Sequence, residues 1–102
     1  METKELSKIT IADFKFLVNQ KFEIVFADNV SVRTELVEVL ALEGYSKLKR
    51  IPFSLVFKTD LKNEYYKQGI YQINYPGKGQ IEAFLVPIGI DKDGVKYEAV
   101  FS

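Results

Sequence analysis

Hydrophobic and polar residues alternate with a period of two over most of this chain, the mark of strands with one buried face. Phe22, Ile24 and Phe26 alternate with Lys21, Glu23 and Val25, and Asp28-Asn29 follows as a pair suited to a tight primed turn. Val30, Val32, Thr34 and Leu36 form the return strand, with Ser31, Arg33 and Glu35 on its other face. The phase then breaks, because strict alternation sets Glu38 on the face of Leu36 and Leu40. Either a β-bulge near Leu36-Val37 switches the faces and returns Glu38 to solvent, or Glu38 is partly buried with a partner. The cost of burying an unpaired carboxylate favours the bulge.

Phe53, Leu55 and Phe57 predict a third strand, entered through Pro52, and residues 60–69 a polar connection. Tyr71, Ile73 and Tyr75 predict a fourth, and Pro76-Gly77 fits a type II turn. The fifth strand spans Gln80 to Ile90, where Pro87 demands a bulge, a bend or a locally open side. Asp91-Lys92-Asp93-Gly94 turns the chain into a sixth strand carrying Val95, Tyr97, Ala99 and Phe101. The first arm of this last hairpin is apolar on both faces, which predicts a place in the middle of the fold.

Before the strands the period is helical. Ile11, Phe14, Leu17 and Val18 share one face of a short helix, Thr10 and Asp13 form a variant capping box, and Asn19 ends it. The expected fold is mainly β: a six-stranded antiparallel meander forming a small barrel or a two-layer sandwich, with one short N-terminal helix closing a side or an end. Residues 1–9 read as a flexible lead-in and residues 10–102 as a single β domain.

Composition narrows the chemistry. With 47% hydrophobic and 14% aromatic residues, the chain has ample material for a core, which excludes disorder. Fourteen basic residues balance fourteen acidic ones, so no bulk charge argues for nucleic acid or an anionic membrane. The absence of His and Cys excludes disulfides, thiol nucleophiles, Ser-His triads and His/Cys metal sites. The opening METKELSK has no apolar core of a leader, and no apolar run reaches membrane-span length, so a cytoplasmic protein is expected.

Four constellations remain. Asp91, Asp93 and Gly94 match the start of a calcium loop but lack its later ligands, so they read as turn residues. Glu35, Glu38, Glu82 and Glu98 offer carboxylates for acid–base work, although strand carboxylates are usually solvated or ion-paired. Tyr65, Tyr66, Tyr71 and Tyr75 lie near Lys58, Lys62, Lys67 and Lys78, a mixture found in single-strand binders. With no net charge, they read instead as half-buried strand aromatics and as shields for the loop. Segment 23–43 carries a net −4, with Arg33 its only basic residue, and segment 47–67 a net +4. The two either pair across neighbouring strands or form a bipolar docking surface.

Taken together, Phe53-Ser54-Leu55-Val56-Phe57 after Pro52, Phe84-Leu85-Val86-Pro87-Ile88-Gly89 and Tyr97-Glu98-Ala99-Val100-Phe101 resemble a small bacterial family of all-β domains of unknown function. The phrases Phe14-x-x-Leu17-Val18, Phe22-x-Ile24, Leu36-Val37-Glu38-Val39 and Gly69-x-Tyr71 extend the resemblance over the chain from Thr10 onward. The resemblance implies no catalytic residue and no cofactor. It implies an association with proteins resembling phage tail-collar or tail-fibre subunits. Glu38 and Glu98 are the polar exceptions within its apolar phrases and the candidate functional side chains. The expected function is therefore a non-enzymatic interaction or assembly module whose partner is another protein or a second copy. The alternative is a small barrel holding an apolar ligand among Phe26, Phe57, Tyr71, Phe84 and Tyr97.

Overall fold

The computed structural model describes residues 12–41, 52–61, 65–75 and 79–101. The lead-in over 1–9, Thr10, the basic segment 43–50 and the Pro76-Gly77 turn lie outside them. Period-two patterning yields six strands: β1 (Lys21–Ala27), β2 (Val30–Ala41), β3 (Phe53–Lys58), β4 (Gly69–Tyr75), β5 (Gly79–Asp91) and β6 (Gly94–Phe101). All neighbours are antiparallel, and the sheet closes on itself as a barrel. The strand order, β1-β2-β3-β6-β5-β4, is not one continuous meander. Two three-stranded meanders face each other, and the connection from β3 to β4 crosses one end of the barrel.

The two long strands set this plan. β2 pairs with β1 through residues 30–35 and with β3 through residues 35–41. β5 likewise pairs with β4 through residues 79–85 and with β6 through residues 85–91. Each long strand therefore shifts its neighbours along the barrel axis, the stagger that closure requires. Each also carries a bulge in its second half, between Leu36 and Glu38 on β2 and between Pro87 and Gly89 on β5. The bulge expected near Leu36-Val37 is present, and Glu38 is exposed. Pro87 sits at a register shift, where a missing N–H is tolerated.

Inward-facing side chains fill the barrel as one cluster. At one end the short helix α1 (Ala12–Lys15) inserts Phe14, fully buried, against Phe53, Tyr75 and Phe101, with ring centroids 5.4–6.2 Å away. Leu17 packs on the same cluster, while Phe16 points into solvent. Asn19, at φ 72°, stops the helical segment, and its N–H donates to the Leu36 carbonyl at 2.7 Å. At the other end Phe26 stacks on Tyr66 at 4.5 Å and meets Tyr71 and Tyr97 edge-on or tilted at 4.9 and 5.0 Å. The Tyr97 hydroxyl accepts the Tyr66 N–H at 2.7 Å, which ties the crossing connection down over that end.

Two expectations change. Of Asp28-Asn29, only Asn29 takes positive φ, and the register slips between Val25 and Ala27. A primed two-residue turn, which starts on positive φ, is therefore replaced by a bulged hairpin. β5 does have a strand on each side, but its outer face is not covered: Phe84, Ile88 and Ile90 are 49%, 49% and 62% exposed. A single-layer barrel wall has no second sheet to bury that face.

Gly94 is the tightest backbone position. Its φ is +139°, and a Cβ there would overlap the Thr59 carbonyl oxygen and lie 2.9 Å from its carbon. Strain of a few kcal/mol follows for any side chain, so Gly94→Ala should lower the melting temperature by more than about 10 °C in calorimetry. An unchanged melting temperature would mean that β6 can slide away from Thr59.

Candidate functional site

The barrel sorts the sequence candidates by face. Phe26, Phe57 and Tyr97 point inward and are buried; Tyr71 is half-buried, its hydroxyl donating to the Lys67 carbonyl at 2.6 Å. Phe84 does not join them. It lies between inward-facing Ala83 and Leu85 and therefore points outward. Tyr75 is buried at the helix end, Tyr66 is engaged in the stack on Phe26, and Tyr65 is exposed rather than shielding the loop.

Glu38 and Glu98 fall on one cross-strand row of the outer wall. Glu38 is opposite Val56, and Val56 is opposite Glu98. Two strand spacings, about 10 Å between backbones, separate the carboxylates. The next row out is apolar. Ile70 is paired with Phe84, and one step beyond the Leu85–Ala99 pair brings Phe84 alongside Val100. These three are 68%, 49% and 54% exposed. Glu82 is exposed two residues from Phe84, so carboxylates flank the apolar row on both sides. Leu40 points the same way from β2, whereas Ser54 between it and Val100 is buried.

A second feature was not legible as a site. β3 ends at Lys58, opposite Glu35, while β2 runs back to Val30. Beside this stretch of β2 lies an open groove of about 370 Å³. One wall carries Lys21, Arg33 and Glu35; the other carries Thr59 and Asp60, with Asp93 of the last turn. Thr34 also lines it, and no lining side chain is apolar. Lys21 bridges Glu35 at 2.9 Å, and Lys58 bridges Asp93 at 3.5 Å. Glu35 and Lys58 are thus cross-strand neighbours, as the pairing of the acidic and basic segments predicts, although Lys47, Lys49, Arg50, Lys62 and Glu64 lie outside the described residues. The Lys21 hydrogen bond and charge, aided by Lys58, hold the Glu35 carboxyl below its ordinary value of 4.5.

The two threonines of the groove differ. Thr59 Oγ1 donates to the Val95 carbonyl at 2.9 Å and accepts the Leu61 N–H at 3.2 Å. Thr34 is 2% exposed, and its Oγ1 has no hydrogen-bond partner among the described residues. The signal available in the sequence was Arg33, alone against the charge of its segment.

The family described as Domain of unknown function (DUF6916) matches residues 9–101. The chain belongs to that family. Membership of an all-β domain family of unknown function, expected from the sequence, is thereby borne out. No curated protein and no solved structure matches the chain. No helix of the described residues is long and apolar enough to cross a membrane.

Removing a buried hydroxyl without a partner relieves a desolvation cost, so Thr34→Val should raise stability by about 1 kcal/mol in urea unfolding. A loss of stability would show that the hydroxyl is satisfied in solution. For Glu35 the folded-state pKa is the lower one. Its contribution is present above the unfolded value and lost as pH falls through the folded one. Glu35→Gln should therefore flatten the acid limb of the stability curve, measured by urea unfolding between roughly pH 6 and 3. An identical acid limb would assign that limb to other carboxylates.

Proposed function

We propose that this domain is a non-enzymatic protein-interaction or assembly module, docking through the outer wall formed by β4, β5 and β6. The observation that carries this reading is the exposed row Ile70, Phe84 and Val100, flanked by Glu38 and Glu98 on one side and Glu82 on the other. Apolar side chains ringed by charge are the composition of a docking patch. The acidic rim favours a partner with basic residues around an apolar centre. That partner is a tail-collar or tail-fibre-like protein if the association implied by the resemblance extends to this chain, and otherwise a second copy. A cytoplasmic place of action is part of the proposal. What weighs for the outer wall over an apolar ligand inside the barrel is the set of aromatic rings that already occupies the interior.

The double variant Ile70→Ser, Phe84→Ser tests it. Both side chains are solvent-facing, so circular dichroism and the melting temperature should stay near those of the parent. Self-association by light scattering, or capture of a defined partner from the native cell, should fall at least tenfold, since paired apolar anchors carry most of such an interface. A parent chain that is monomeric at every concentration and captures no protein through this row would overturn the proposal.

A further inference from the structure

We infer that the open edge of β2 over residues 30–34 pairs with the same edge of a second copy, giving a weak dimer through strand addition. Closing the barrel removes the edges of the sheet as a whole. Its stagger nevertheless leaves each long strand overhanging a shorter neighbour at the end crossed by the β3–β4 connection. The β2–β3 ladder ends at Glu35 and Lys58, and the β4–β5 ladder ends at Gly69 and Leu85. Among the described residues, no strand adjoins residues 30–34 on the β3 side or residues 86–91 on the β4 side.

Backbone hydrogen bonds show what each overhang presents. Leu36 turns both its groups toward the β1 side, donating to the Gln20 carbonyl at 3.1 Å and accepting from the Asn19 N–H at 2.7 Å. Alternation sends the same groups of Glu35, Arg33 and Ser31 the other way; Glu35 meets Lys58, while Arg33 and Ser31 meet no strand. On the other overhang, Val95 accepts the N–H of Thr59, just past β3, at 2.9 Å. Lys96 and Glu98 therefore face β5, where they pair with Gly89 and Val86. Pro87 is thus aimed at the open side, where it has no N–H to offer, and the bulge at Ile88 follows. Proline and bulges keep an exposed edge from pairing. The β5 overhang carries both. Residues 30–34 of β2 carry neither, since the register slip of their hairpin lies on β1.

Self-complementarity makes the second copy the occupant. In antiparallel pairing about a twofold axis at Val32, Ser31 of each copy faces Arg33 of the other, and every open N–H and C=O of these residues finds a partner. On the axis itself falls a non-hydrogen-bonded pair, Val32 with Val32, where side chains approach most closely and β-branched residues pair well. Val32 packs half-buried against the core, so this contact continues the barrel's apolar cluster. Charge selects the same register. Arg33 lies beside Glu23 on β1 and meets a serine hydroxyl across the new seam. An axis at Arg33 would instead set two guanidinium groups opposite each other, which is destabilising. An axis at Ser31 would run Arg33 onto Asn29, which the turn holds at φ 63°. The edge is separate from the docking row on β4, β5 and β6, so the two readings fail independently.

The experiment is sedimentation velocity of the full chain up to about 1 mM, in the parent and in the Ile70→Ser, Phe84→Ser double variant that silences the docking row. A small interface of this kind predicts that a dimer with Kd of about 0.1 mM persists in the double variant. Ser31→Pro copies onto β2 the guard that Pro87 gives β5. It removes an open-side N–H and no ladder bond, so it should keep the melting temperature and weaken the dimer about tenfold or more. Ser31→Glu meets Arg33 of the second copy in this register and should tighten the dimer about threefold. In the parent, hydrogen exchange at the Ser31 and Arg33 amides should slow as concentration rises, a readout that needs no variant. A chain monomeric at about 1 mM, a dimer lost with the docking row, or full association in Ser31→Pro would each overturn the pairing. So would Ser31 and Arg33 amides protected equally at every dilution, which would mean that another segment of the same chain covers the edge.

Discussion

The pairing of β1 with β4 is the constraint on which the rest of this molecule depends. It is a short ladder, Glu23 to Asn74, Ile24 to Ile73 and Val25 to Gln72, and it is what turns a six-stranded sheet into a barrel. Asn74 reinforces it from outside by donating to Glu23 at 3.1 Å. Closure removes the two sheet edges and gives every strand an inside and an outside. Only after closure do Ile24 and Ile73, fully buried neighbours across the seam, belong to the same core as Leu55 and Ala99 on the far wall.

A barrel of six strands leaves an interior that side chains fill by themselves. Aromatic rings fill it in two groups, one around Phe14 of the helix and one around Phe26 beneath the crossing connection. Both ends are thus closed by elements that are not strands. The chemistry left to the molecule is displaced to the outside, and the long strands decide where. Because β2 outruns β3, its first half borders a polar groove; because β5 lies in a single-layer wall, its outer apolar residues stay in water. The two surfaces differ in kind, one a charged recess and the other an apolar row with an acidic rim.

The bulges connect these consequences. Without the extra residue at Val37, Glu38 would point into the core beside Leu36; with it, Glu38 joins the row of Val56 and Glu98. The same device at Ile88 lets β5 carry Pro87 while Gly89 and Lys96 remain paired. Gly94 then allows the last turn to close against Thr59, whose amide and hydroxyl both donate to Val95. That contact ends β3 and starts the crossing over the barrel.

Alternation alone determined the six strands, the inward set from Phe22 to Phe101, the switch at Leu36-Val37 and the helix face of Phe14 and Leu17, because each is a local consequence of side-chain period and burial. The exposure of Glu38 was legible for the same reason: the phase error lay within one strand. Strand order was not, since hairpin signals fix sequential pairs but say nothing about β3 with β6 or β1 with β4. The outward turn of Phe84 was misread because a strand apolar on both faces looks the same whether its second face is covered or bare. The groove was invisible because Arg33 and Glu35 of β2 are brought beside Asp60 and Asp93 by the stagger of the long strands, which no local pattern encodes. Sequence decided which faces are apolar; only closure of the barrel decided which of them meet.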